Sequence, residues 1–69
     1  MPDFVASFED GYYHSFTNMR YFDYTKDEAI RLAKAEADRR RSITLTLYYM
    51  HSGKSVGTWV KKGSRWYRE

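Results

Sequence analysis

Apolar and polar residues alternate with a period of two in two stretches of the chain, and this pattern predicts β-strands. In the stretch 3–8, Phe4, Ala6 and Phe8 fall on one face of the predicted strand. The stretch 42–50 alternates more regularly, with apolar or aromatic residues at every second position from Ile43 and mostly Ser or Thr between them. We therefore expect 42–50 to form a central strand that is buried on one face.

Three further stretches are rich in β-branched and aromatic residues and also predict strands. The first is 12–24, where Asn18 is interpreted as a bulge at which the strand changes face. The other two are 55–60 and 65–68, and in the last one alternation places Trp66 and Tyr67 on opposite faces. Glycine-containing turns lie between neighbouring strands, at 9–11, 51–54 and 61–64.

The stretch 26–40 predicts the single helix, because it contains neither Gly nor Pro and is rich in helix-forming residues. Thr25 and Glu28 have the spacing of a capping box at its start. One face of this helix is mostly alanine: Ala29, Ile30, Ala33 and Ala37. On the opposite face we expect an ion pair between Lys34 and Asp38. The thin alanine face predicts that the helix axis lies close to the sheet.

These elements predict the order β-β-α-β-β-β in a single domain, 1–69. Because hairpins join neighbouring strands, the fold class is α+β, with an antiparallel sheet of about five strands and the helix on one face. The last strand, 65–68, is a candidate edge strand that offers a pairing surface to a second copy. The sequence leaves both a monomer and a dimer open.

Composition argues against catalysis and against a bound cofactor. The 69 residues include no cysteine, so neither disulfides nor thiolate metal sites are available, and burial relies on thirteen aromatic residues. His14 and His51 lack metal-ligand neighbours at the required spacing, so we expect no metal. Ser52 beside His51 lacks the geometry of an activated nucleophile, and the acidic pair Glu9 and Asp10 is expected to be a hydrated turn.

The chain also lacks features of membrane or secreted proteins. No run approaches the roughly 18–20 apolar residues that a membrane-spanning helix needs. The first residues show no basic segment followed by a long apolar one, as a signal peptide would have. We therefore expect a cytoplasmic protein without membrane contact.

Charge is distributed unevenly along the chain, whose formal net charge is +3. Residues 1–24 carry four acids against one arginine, and residues 25–69 carry eleven Lys or Arg against five acids. A basic half indicates an anionic partner or simply a well-solvated surface. One cation cluster ends the predicted helix, where the helix dipole favours positive charge: Arg39, Arg40 and Arg41. The second lies on the last predicted hairpin: Lys61, Lys62, Arg65 and Arg68.

Both clusters are candidate partner-binding residues, through ion pairs with carboxylates or contacts with phosphates. Tyr48 is a candidate aromatic anchor on the less apolar face of its strand. Aromatic and basic residues also interleave in WVKKGSRWYR, as single-strand nucleic-acid binding requires, although no known nucleic-acid-binding motif is present. Protein binding and direct nucleic-acid binding therefore both remain open.

Two segments resemble small phage-encoded inhibitors of host machines. The first, FVASFEDGYYHSF followed by YTKDEAIRLA, resembles a coliphage inhibitor of bacterial RNA polymerase, in an HSF strand and a T-x-DEA-x-x-LA helix. The second, ITLTLYYMHSGKSVGTWVKKGSRWYRE, is similar to the end of a type I-F anti-CRISPR protein, where a helix leads into three strands. The basic charge of this chain favours the anti-CRISPR resemblance.

The resemblance implies an antiparallel sheet with one packed helix, and a function that needs neither catalysis nor a cofactor. It predicts a phage-encoded inhibitor that binds a bacterial host protein or ribonucleoprotein complex in the host cytoplasm, of the CRISPR effector or RNA polymerase class, and blocks it by occlusion. The alternative is a small basic nucleic-acid-binding module.

Overall fold

The computed structural model describes residues 2–69. Its elements are β1 (Phe4–Glu9), β2 (Phe16–Tyr21), α1 (Lys26–Arg39), β3 (Thr44–Tyr49), β4 (Ser55–Lys62) and β5 (Arg65–Arg68). The strands form one antiparallel sheet in the order β2-β1-β3-β4-β5. The predicted α+β class and element order are confirmed, and β3 is the central strand. Helix α1 is the crossover that places β3 beside β1.

The helix begins and ends where local chemistry requires. The Glu28 N–H donates to Thr25 Oγ1, and the Thr25 N–H donates to Glu28 Oε1, each at 3.2 Å, so the predicted capping box is confirmed. Arg40 is the C-cap, and Arg41 follows with a left-handed φ of 55°. This conformation cannot continue a helix, and it turns the chain into β3.

The core lies between α1 and one face of the sheet. The helix contributes three fully buried alanines, as its sequence predicts. Strand residues fill the remaining volume: Phe4, Ala6, Phe8, Leu45, Leu47 and Trp59. Ile43, which the alternation places with Leu45 and Leu47, is instead 66% exposed, because it precedes the first residue of β3.

The opposite face of the sheet, called the open face here, is covered by no other element of residues 2–69. Cross-strand pairing places Val5 beside Tyr48, and Thr46 beside Thr58. The two threonine hydroxyls lie 3.2 Å apart. The centre of the open face is therefore largely hydroxyl-bearing and uncharged.

The second strand differs from its prediction. It begins at Phe16, and residues 12–15 belong to the connecting loop. Pairing of β1 with β2 is continuous from Phe4–Tyr21 to Glu9–Phe16, so the bulge predicted at Asn18 is wrong. The irregularity lies instead between Leu47 and Tyr48, in the pairing of β3 with β4.

Candidate partner-binding surface

The two cation clusters of the sequence meet at one end of the molecule. The Lys61 N–H donates to the Ile43 carbonyl at 2.9 Å, which ties the end of β4 to the segment that follows α1. The Gly11 N–H donates to the Arg40 carbonyl at 2.8 Å, which ties in the β1–β2 loop. We call this region the cationic end: Arg39, Arg40, Arg41, Lys61, Lys62 and Arg65.

Arg39 and Arg40 make ion pairs within the chain. Both donate to Glu36, and Arg40 also donates to Asp10 at 3.1 Å. The hydrogen bonds from Arg39 and Arg40 hold the pKa of the Glu36 carboxyl below its ordinary value. Arg40 therefore joins the helix end to the β1–β2 loop. The Arg39 side chain is 68% exposed and keeps a surface that a partner can reach.

Arg41 has a different environment. Its Nε donates to the Tyr12 hydroxyl at 2.9 Å, and its guanidinium carbon lies 5.5 Å from the centroid of the Tyr12 ring. Within residues 2–69 its terminal nitrogens have no hydrogen-bond partner. The three consecutive arginines thus divide into one structural residue, Arg40, and two whose guanidinium groups remain accessible.

Asp10 holds the backbone of the β1–β2 loop through its buried carboxylate. Only 2% of it is exposed, and its carboxylate accepts the Tyr12 N–H at 2.8 Å, the Tyr13 N–H at 3.2 Å and the Arg40 guanidinium. Burial alone would raise the pKa of Asp10, but these hydrogen bonds outweigh it and the pKa is lowered. The expectation of a hydrated turn is therefore wrong for Asp10.

The last hairpin divides its cations between the two faces of the sheet. On the helix side, Lys61 pairs with Asp38 and lies 5.8 Å from the ring centroid of Trp66. Arg68 donates to the Val56 carbonyl at 2.7 Å, and its guanidinium carbon lies 5.6 Å from the centroid of Trp59. Both are held by intramolecular contacts.

Asp38 is shared between two elements rather than paired along the helix. Besides Lys61, it accepts the Trp66 Nε1–H at 3.1 Å. Lys34, its predicted partner, makes no ion pair within residues 2–69 and lies 5.6 Å from the centroid of Trp59. The predicted Lys34–Asp38 pair is wrong because β4 and β5 supply better-placed partners for both side chains.

The side chains of Lys62 and Arg65 lie on the open face of the sheet, away from the helix. They lie opposite each other across the β4–β5 turn, both exposed, and neither makes an ion pair within residues 2–69. Tyr67 follows on the same face of β5 and is 50% exposed, whereas Trp66 packs against the core, so their predicted opposite orientation is confirmed. Tyr48 lies on the open face and is half-buried beside Val5.

The structure also shows exposed aromatic residues that the sequence assigned to a strand. Tyr12, Tyr13 and Phe16 are 58%, 80% and 80% exposed, and we call them the aromatic tip. Beside their loop is a shallow concavity of about 250 Å³, lined by Glu9, Gly11, His14, Arg41, Ser42 and Ile43. The sequence signal for the tip was the EDG turn directly before the aromatic run.

Two further features of the described chain concern metal binding and membrane crossing. In residues 2–69 no three His, Asp or Glu side chains are grouped so as to hold a metal ion. None of the helical structure in the described residues has the length and apolar character of a membrane-spanning helix.

Comparison with models of known families, with curated proteins and with solved structures returned no significant match. The resemblance to phage inhibitors stays a prediction.

Proposed function

We propose that this domain is a non-catalytic inhibitor that binds a bacterial nucleic-acid-handling complex and blocks it by occlusion. By resemblance, the target is of the CRISPR effector class, the chain is phage-encoded, and it acts in the host cytoplasm. RNA polymerase is the second target class. The partner is a protein or ribonucleoprotein surface that presents carboxylates or the binding sites of phosphates.

One observation carries the proposal: cations that lie far apart in the sequence converge on the same end of the molecule. Arg39 and Arg41 come from the helix end, while Lys62 and Arg65 come from the last hairpin. All four are exposed. Grouped cations favour an anionic partner and speed its encounter through electrostatic attraction.

The size of the domain suits occlusion. Its dimensions are 32 × 22 × 17 Å, comparable in length with about one turn of a nucleic-acid duplex, ~34 Å. A body of this size bound at its cationic end would exclude nucleic acid from the neighbouring surface of its target. Occlusion requires no pocket and no reactive group, in keeping with the shallow concavity described above.

Direct binding of single-stranded nucleic acid is the second candidate. It is supported by Tyr67, which is half-exposed on the same face as Lys62 and Arg65. A ring beside unpaired cations combines base stacking with phosphate contact.

The test is recovery of partners by tagged protein from a nuclease-treated bacterial lysate, compared with an untreated one, followed by mass spectrometry. We expect one host complex in stoichiometric amount after nuclease. Lys62→Glu/Arg65→Glu should weaken its retention about tenfold or more. The matched control is Lys26→Glu/Lys54→Glu, which reverses two exposed cations at the opposite end of the helix and sheet.

Each outcome has a distinct meaning. Equal losses in both reversal variants would mean that net charge, not the cationic end, governs binding. Recovery only without nuclease, together with a steep dependence of affinity on salt for a poly-dT strand, would support the nucleic-acid module instead. A purified effector complex that binds its target DNA equally well with and without the domain would contradict occlusion of that complex.

A further inference from the structure

We infer that the aromatic tip is a preorganised anchor that inserts into an apolar pocket on an acidic protein surface. This inference rests on the proposed function for the class of partner, a protein, and adds the site and the chemistry of recognition. The tip lies outside every candidate residue that the sequence indicated.

The first argument is exposure. Tyr13 and Phe16 are each 80% exposed in a chain whose small core already relies on aromatic rings for burial. Tyr12 is 58% exposed, and Ile43, at the concavity beside the loop, is 66% exposed. Large apolar side chains left together in water at one end of a small domain mark a surface that a partner covers.

The second argument is rigidity. The loop is closed by two backbone hydrogen bonds of 2.8 Å, from the Asp10 N–H to the Ser15 carbonyl and from the His14 N–H to the Asp10 carbonyl. The buried Asp10 carboxylate fixes the N–H groups of Tyr12 and Tyr13. A loop backbone held in place before binding loses little conformational entropy on binding, which favours the rings that it carries as interface anchors.

The third argument is charge, which selects the partner. Most acids at this end are already neutralised, because Asp10, Glu36 and Asp38 each pair with a cation of the cationic end. Glu9, in contrast, remains half-exposed beside the tip, 3.7 Å from His14 Nδ1. The outward-facing groups that remain are mainly positive, on Arg41, Lys62 and Arg65. A pocket rimmed by Asp or Glu complements this arrangement, whereas a basic pocket would be repelled.

The same set of charged residues argues against nucleic acid as the partner that binds the aromatic tip. Phosphate-dominated binding needs many unpaired cations along a track, and half of the cations at this end, Arg39, Arg40 and Lys61, already have ion-pair partners within the chain. The Tyr12 ring is also contacted by the Arg41 guanidinium, which occupies part of the surface that a base would stack on.

The experiment selects random short peptides displayed on filamentous phage against the immobilised domain. We expect the selected peptides to be rich in Asp and Glu and to carry at least one large apolar side chain. Their affinity, measured by titration of synthetic copies, should fall tenfold or more for Tyr13→Ser/Phe16→Ser. The matched control is Phe22→Ser, which removes a ring that is 57% exposed at the other end of β2.

Thermal unfolding of each variant shows whether the fold is kept, as expected for substitutions at exposed rings. The inference is overturned if the peptides bind the tip variant as well as the wild type, if they are basic, or if none is selected. Loss of poly-dT binding in the tip variant, without any selected acidic peptide, would also overturn it and assign the tip to nucleic acid.

The result is separable from that of the lysate experiment. Acidic peptides that need the tip would support the anchor even if no host complex is recovered. A host complex that retains the tip variant fully would leave the proposed function intact and refute the anchor.

Discussion

At the scale of single residues, Gly11 shows how closely the β1–β2 loop approaches the end of the helix. A Cβ at this position would lie 2.2 Å from the Arg41 carbonyl oxygen, a backbone atom that cannot move aside alone. The Gly11 N–H also donates to the Arg40 carbonyl at 2.8 Å. The residue is thus required by lack of space, with no need for a left-handed conformation.

We predict that Gly11→Ala lowers the free energy of unfolding by about 2 kcal/mol or more, because the loop must separate from the helix end to avoid the overlap. Urea denaturation followed by circular dichroism measures the change. Amide hydrogen exchange should accelerate most at Tyr12 and Tyr13, whose N–H groups would lose the Asp10 carboxylate. Ser64→Ala, in the exposed β4–β5 turn, is the control and should change stability by less than about 0.5 kcal/mol. Equal stability of the two variants would contradict the close approach.

The candidate site was predictable from the sequence only in part, for reasons visible at this scale. Charge and helix-dipole arguments located the arginine run correctly at the helix end. They could not assign Arg40 to a structural role, because that role depends on Asp10, thirty residues away in the chain. The tip was missed because strand propensity describes side chains, whereas the loop forms through a carboxylate that captures two backbone N–H groups.

At the scale of elements, the alanine face of α1 sets the distance between helix and sheet. Ala33 is fully buried at the middle of that face, between Ala29 and Ala37. Small side chains let the helix backbone approach β1 and β3 closely, so that sheet residues such as Phe4 and Phe8 provide the volume of the core. Ala33 has no exposed surface, so a larger side chain at this position has to displace its neighbours.

We predict that Ala33→Leu lowers the free energy of unfolding by about 1–3 kcal/mol, because the added atoms force the helix away from the sheet. Ala35→Leu introduces the same side chain on the exposed face and should be within about 0.5 kcal/mol of the wild type. Urea denaturation of both variants makes the comparison. Similar stabilities would show that the helix packs loosely and that the alanine face does not determine its position.

The positions of the helix and strands were the features most predictable from the sequence, because their signals are local. Period-two alternation located β1 and β3, and the capping box fixed the first residue of the helix to within one position. The bulge was misplaced because register depends on pairing between strands: β1 and β2 pair without interruption, while the shift lies between β3 and β4. Similarly, Asp38 pairs with Trp66 and Lys61 of the sheet and not with Lys34, the helix residue predicted as its partner.

At the scale of the whole molecule, the topology brings exposed cations from distant parts of the chain to one end of the body. The helix, about 21 Å long from its fourteen residues, starts near acids and ends at the cationic end. Asp3, Asp23, Asp27 and Glu28 belong to segments at the opposite end, where β1 starts and β2 finishes, together with the cations Lys26 and Lys54. Only the observed strand order brings the last hairpin beside the helix terminus, and local sequence signals do not encode that order.

The ion pairs and hydrogen bonds of four carboxylates predict how the stability of the fold responds to acid. The pKa of Glu36 is lowered by hydrogen bonds from Arg39 and Arg40, and that of Asp3 by His51 and the Asp23 N–H. Asp10 and Glu28 also have lowered pKa values, Glu28 through the Thr25 N–H and hydroxyl. Because all four folded-state pKa values lie below the unfolded ones, the unfolded chain takes up more protons as the pH falls.

Their contribution to stability is therefore fully present above the unfolded pKa values, about 3.9 for Asp and 4.3 for Glu, and is lost as the pH falls through the lower folded values. We predict a thermal midpoint that changes little with these carboxyls between about pH 7 and pH 5 and then drops steeply below about pH 4. Circular dichroism melts across this range measure it.

The variant Glu36→Gln distinguishes the titration of the Glu36 carboxyl from the general effect of acid on the protein. Removing the carboxylate should lower the midpoint at neutral pH, because Arg39 and Arg40 lose their shared partner. It should also make the acid-induced drop shallower than in the wild type, since one of the titrating groups is gone. A parallel drop in both proteins would mean that the ion pairs of Glu36 with Arg39 and Arg40 do not contribute to acid sensitivity.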